Sequence, residues 1–128
     1  MDNPSNPLSW AARAEEDYAL AQSAIRRKIP LTYGATFHAQ QTVEKYFKAL
    51  LTALQIPFPR THDLVALEEL CIKAGVIIPI NTDRLEMLNG YAVEARYPGA
   101  LPTIEDAQEA IGITRGLRKF FRKRMGIS

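Results

Sequence analysis

Residues 32–56 read TYGATFHAQQTVEKYFKALLTALQI and stop against Pro57. Phe37, Val43, Phe47, Leu50 and Leu54 fall along one line at helical spacing, with Gln40 breaking into it. Ala39, Tyr46, Ala49 and Ala53 form a second, smaller apolar line. A helix that is apolar on two sides is packed by more than one neighbour, which puts this segment in the middle of a bundle. Glu44 and Lys48 stand four apart in the favourable order, as do Gln41 and Lys45. Pro57 ends the segment, because proline lacks the helical donor and clashes with the preceding turn.

Toward the N-terminus, Ser9 is a good cap for a helix from Trp10 to about Lys28, ahead of Pro30. Trp10, Ala14, Tyr18, Ala21 and Ile25 give it one apolar face. Toward the C-terminus, Thr61 can cap a third helix from His62 to about Ala74, which Gly75 terminates. Leu64, Leu67, Leu70 and Cys71 would face inward, while Asp63, Glu68 and Glu69 read as a solvated face. Val76 to Ile80 is β-branched but holds Pro79 and has no second strand to pair with, so it reads as an extended connector. A fourth helix runs from Thr82 to about Arg96, with Leu85, Leu88, Ala92 and Ala95 along one side, and Pro98 and Gly99 break it. Thr103 and Asp106 have the spacing of a capping box. The last helix turns Ala107, Ala110, Ile111, Thr114, Leu117 and Phe121 inward and its cations outward. The fold class is therefore all-α, an up-down antiparallel bundle of about five helices.

At 128 residues the chain suits one domain, 1–128, with residues 1–8 as a flexible lead and 122–128 as a basic end. Its composition, 47% apolar and 23% charged, excludes a disordered chain. Lone Cys71 leaves no internal disulfide and no paired-thiol metal site. No signal peptide and no membrane span is evident, and a cytoplasmic location is expected. The net charge of +2 hides an asymmetry. Residues 113–128 carry six cations and no acid, against ten cations and fourteen acids in the rest. Such an end contacts phosphates or an acidic partner, or simply stays solvated at a helix C-terminus. No phosphate-cradling glycine loop, Ser-His-Asp spacing or His-Glu metal helix is present, and no metal or cofactor is expected.

Two constellations stand out. One is Phe37 to Leu51 followed by Thr61-His62-Asp63-Leu64, and the other is Ala95-Arg96-Tyr97-Pro98. In order and spacing, from Trp10 to about Phe121, they resemble the HEPN family. The resemblance implies a small helical bundle that commonly dimerises and is often paired with a small nucleotidyltransferase, in some cases as a toxin–antitoxin pair. Many such proteins cleave RNA through an Arg followed four to six residues later by His.

The chain departs from that pattern. Tyr97, Pro98, Gly99, Ala100, Leu101, Pro102 and Thr103 follow Arg96, with no histidine among them or downstream. Metal-free cleavage needs a group that moves protons near neutral pH, and an arginine stabilises charge without shuttling protons. The favoured expectation is thus a non-catalytic homodimer that binds a nucleotide or polynucleotide, or docks onto a nucleotidyltransferase. Gln41, Lys45, Lys48 and Arg96 would contact the anion, and Tyr97 would stack a base. The plainer account of the same residues is i,i+4 pairing of Glu44 with Lys48 on a wet surface and Tyr97 packing on proline. The runner-up is a ribonuclease toxin using Arg96 with a displaced His62, and a third reading is a structural adaptor that only dimerises. His62 also reads as a residue bonded locally at a helix start, and His38 as a polar group at a packing seam.

Overall fold

The computed structural model describes residues 4–94 and 101–128. Ala95, Arg96, Tyr97, Pro98 and Gly99 lie outside the described residues, as does the side chain of Ala92. The end assigned to the fourth helix and the Ala-Arg-Tyr-Pro segment therefore fall there too.

Five helices follow one another: α1 Pro7–Arg26, α2 Thr32–Ala53, α3 Leu64–Lys73, α4 Thr82–Glu94 and α5 Ile104–Arg124. The described residues contain no strand, and Val76–Ile80 is an extended connector that buries Val76 and Ile78 and leaves Ile77 83% exposed. No described helix is long and apolar enough to cross a membrane.

Several boundaries differ from the sequence expectation, each for a local reason. α1 begins at Pro7, not after Ser9, because Asn6 Oδ1 accepts from Leu8 N at 2.9 Å and Pro7 sits in the first turn, where its missing N–H costs nothing. Residues 7 and 8 thus belong to α1, and Trp10 Nε1 donates to Pro4 O at 3.0 Å ahead of it. α2 ends at Ala53. Gln55 takes a left-handed conformation at φ 58°, with Ile56 N bonded to Leu51 O and Gln55 N to Thr52 O, a Schellman closure. Leu54 consequently leaves the buried stripe and is 37% exposed. α3 begins at Leu64, since Asp63 rather than Thr61 is the cap and accepts from Val65 N and Ala66 N. His62 therefore precedes the helix. Gly75, at φ 85°, closes α3 as expected. The Thr103–Asp106 capping box is formed in both directions, at 2.9 and 3.0 Å.

α1 and α2 are antiparallel, because their partners run in opposite order. Asp17 meets His38 and Lys45, Glu15 meets Tyr46, and Trp10 meets Lys48. α5 lies beside α2 in the same sense, with Thr114 bonded to Ala39 O and Phe121 packed on Tyr46 and Phe47. α2 is the hub that every other helix touches. Its second apolar line explains this, since Ala39, Tyr46 and Ala49 are buried on one side and Val43, Phe47 and Leu50 on another. The buried face of α1 is mainly Ala11, Ala14, Ala21 and Ala24, which lets the two helices approach closely. At the centre the Tyr46 and Phe121 rings stack at 5.8 Å, and Phe47 meets Phe121 edge-on at 5.0 Å.

Two expectations about charge are corrected. Arg118 and Arg122 do not point outward, because Glu15 of α1 lies opposite them. Nor is the acidic face of α3 wholly solvated. Glu68 is buried, and burial followed by repulsion from Glu69 raises its carboxyl above the ordinary glutamate value.

Candidate functional site

The polar side chains of α2 form three stations. At the first, Glu44 is 2% exposed and shares its two oxygens. Oε2 accepts from Lys48 Nζ at 3.0 Å, while Oε1 faces His62 Nδ1 at 2.9 Å and Gln41 Nε2 at 3.3 Å. Gln41 also donates to Gln40 Oε1 at 2.7 Å, and Gln40 Nε2 holds the carbonyl of His62 at 3.0 Å. His62 is thus fixed at backbone and ring, with its side chain 61% exposed. Lys48 is only 7% exposed and lies 5.5 Å from the Trp10 ring centre and 6.0 Å from that of Phe58. Its charge is therefore shared between a carboxylate and two aromatic faces.

At the second station Asp17 of α1 is buried and holds two groups of α2. One carboxylate oxygen faces His38 Nδ1 at 2.8 Å, and the other accepts from Lys45 Nζ. His38 is thereby a polar residue at the α1–α2 seam, as expected.

At the third, Glu15 accepts a two-pronged bond from Arg118, Nε to Oε2 at 2.7 Å and Nη2 to Oε1 at 2.6 Å. Tyr46 donates its hydroxyl hydrogen to the same carboxylate and accepts from Arg122 Nη1 at 3.0 Å. Burial alone would raise the Glu15 carboxyl, but hydrogen bonds from Arg118 and Tyr46 and the charges of both arginines hold it below the ordinary glutamate value. Burial and the bond to Glu15 push the Tyr46 hydroxyl up to about 12.

Of the expected ligand contacts, Gln41, Lys45 and Lys48 do share one helix, but each is engaged by a neighbouring side chain. Glu44 and Lys48 pair as the plainer account supposed, though in a buried setting rather than on a wet surface. His62 reaches across to Glu44 rather than bonding locally. Arg96 and Tyr97 lie outside the described residues. Asp17 and Glu15 escaped the sequence reading, as did the approach of Trp10 and Phe58 to Lys48, since these partners meet only once the chain folds back. One signal did exist, in Gln40, a polar side chain inside an apolar stripe, which is fully buried and ties α2 to the His62 backbone.

Among the described residues no buried side-chain nitrogen or oxygen lacks a hydrogen-bond partner, and no group of three His, Cys, Asp or Glu side chains could hold a metal. The exposed cations of α5 are Arg115, Lys119, Lys123 and Arg124.

A protein-family model for the HEPN domain matches residues 8–124. The chain belongs to the HEPN family. The match spans α1 to α5 and takes in all three stations built on α2. No curated protein and no solved structure matched the chain. The family is one of nucleotide-binding or ribonuclease type, and the stations show which side chains of this HEPN domain are already engaged within it.

Proposed function

We propose that this HEPN chain binds a nucleotide or polynucleotide without cleaving it, as a homodimer and as the partner of a small nucleotidyltransferase. The observation that carries the non-cleaving part is the segment after Arg96, where Tyr97 to Thr103 supplies no imidazole. A proton-transfer group is what metal-free cleavage requires. Arg96 would pair with phosphate and Tyr97 would stack a base. Lys45 and Lys48 reach an anion only by releasing Asp17 and Glu44. Their substitution by alanine is therefore expected to lower Tm more than it lowers affinity.

Titration of the full chain with ATP and with a short single-stranded RNA tests the reading. Binding that weakens with salt supports it. Absence of binding to both probes at low salt overturns it, and co-purification of a nucleotidyltransferase would then leave the adaptor role.

One observation favours a second reading. The exposed His62 ring is braced through Nδ1 by buried Glu44, the arrangement by which a carboxylate orients a general base. On that reading His62 takes the proton of the 2′-hydroxyl as its oxygen attacks phosphorus, the bond to the 5′-oxygen breaks and that oxygen leaves with the proton returned by His62, while Arg96 stabilises the phosphorane charge, as in a ribonuclease toxin. RNA cleavage lost in both His62→Ala and Arg96→Ala supports it, and intact RNA after prolonged incubation with the wild-type chain removes it.

A further inference from the structure

α5 sorts its cations by direction. Arg118 and Arg122 turn inward to Glu15 and Tyr46, while Arg115, Lys119, Lys123 and Arg124 stay exposed. The outward ridge reads Gly112, Gly116, Lys119 and Lys123, at intervals of four, three and four residues, so these positions lie in one row on the helix. Nothing comes within 4 Å of the place a Cβ would take at either glycine, so the backbone there is bare and open. Beside the glycines lies a depression of about 140 Å³, lined also by Ile113 and Leu117 of α5, by Arg84 at the start of α4 and by Pro79 and Ile80 of the connector. Arg115 flanks the ridge one helical step from Gly112. Glu109 bounds the bed at its N-terminal end, and no acid follows it in the sequence.

We propose that this bed, Gly112 and Gly116 between Arg84 on one side and Arg115 and Lys119 on the other, takes the sugar-phosphate backbone of a polynucleotide. The proposal rests on the binding function above and names its ligand as a strand rather than a mononucleotide. Three physical features converge on that ligand. Cations along the α5 ridge suit a chain of repeated anions, and the guanidinium forks of Arg115 and of Arg84, which stands between the exposed acids Asp83 and Glu86 on α4, match phosphate oxygens. Bare glycines let such a chain approach the helix backbone closely. A protein partner would need a broad apolar centre, whereas Ile113 and Leu117 of the lining are buried, and Ile77, two residues before Pro79 and 83% exposed, is a single apolar side chain. A second copy of this chain would face like charges with like.

The test compares the full-length wild-type chain, a charge-reversed variant (Arg84→Glu, Arg115→Glu, Lys119→Glu) and a filled variant (Gly112→Gln, Gly116→Gln), using a short single-stranded RNA as probe. Charge reversal is expected to weaken binding roughly tenfold or more and to reduce the slope of log affinity against log salt by about 2, for three lost phosphate contacts. The filled variant leaves the charge unchanged and replaces poor helix formers, so it keeps or raises Tm while binding several-fold more weakly. RNA binding by the wild type that both variants retain unchanged would overturn the bed and leave the binding function standing. Absence of RNA binding by the wild type would strike the binding function itself. Displacement of RNA by polyglutamate at equal charge concentration would assign the bed to an acidic protein and overturn the proposal. So would dimer dissociation in the filled variant, which would make the ridge a contact between copies.

Discussion

His62 lies against Glu44, its Nδ1 2.9 Å from Oε1 of a carboxylate eighteen residues earlier in the chain, and Lys48 occupies the other oxygen. The carboxylate and the lysine are both buried, so neither is replaceable alone. Glu44→Ala leaves the Lys48 ammonium without its counter-charge and is expected to cost about 3–5 kcal/mol in urea unfolding. The double variant Glu44→Gln, Lys48→Met should recover much of that, since methionine fills the space beside Trp10 and Phe58 without a charge. A loss below about 1 kcal/mol for Glu44→Ala would show that water already serves the pair.

The Glu15–Tyr46 pair sets opposite limbs of the stability profile. Glu15 is held below the ordinary glutamate value in the folded state, so its contribution is present above that value and drains as pH falls through the folded one. Tyr46 is raised to about 12 from 10.0, so its contribution is whole below 10.0 and drains between 10.0 and about 12. Glu15→Gln is expected to flatten the acid limb of Tm against pH and Tyr46→Phe the alkaline limb. Unchanged limbs in these variants would mean that other groups govern them.

Cys71 should be silent toward thiol reagents. It is fully buried, and burial followed by the nearby Glu68 charge pushes its thiol up to about 11, so little thiolate exists at neutral pH. Labelling under native conditions is expected to track global unfolding across a urea series. Rapid labelling of the folded protein would expose an opening of α3 short of unfolding.

The start of α3 offers a direct test of cap assignment. Asp63 accepts from Val65 N and Ala66 N and is itself bonded by Asn89 of α4. Asp63→Ala should cost about 1–2 kcal/mol, and Thr61→Ala clearly less. The reverse order would return the cap to Thr61.

The helices were legible because their apolar periodicity is a local property, and the Thr103–Asp106 box and Gly75 stop were legible for the same reason. Starts were missed where two cap residues competed, as at Asn6 against Ser9 and Asp63 against Thr61, since both members of each pair carry a suitable oxygen. The candidate site was legible only in part. Lys45 and Lys48 do sit together on α2, but their counter-charges make the difference between a phosphate grip and an internal bond. Glu44 was visible to Lys48 at i,i+4, whereas Asp17 meets Lys45 only after the α1–α2 turn folds back. Nothing in a linear string brings Arg118 to Glu15, so cations read as a solvated row were divided by the fold into clasped and open ones.

That clasp has a consequence for how the protein is made. Glu15 leaves the ribosome 103 residues before its guanidinium partner does. Until then the α1–α2 hairpin waits with an anion on its flank and the Tyr46 hydroxyl short of Arg122. Closure of the bundle therefore waits on the synthesis of α5, and a translational stall before residue 118 would strand a hairpin that has yet to lock.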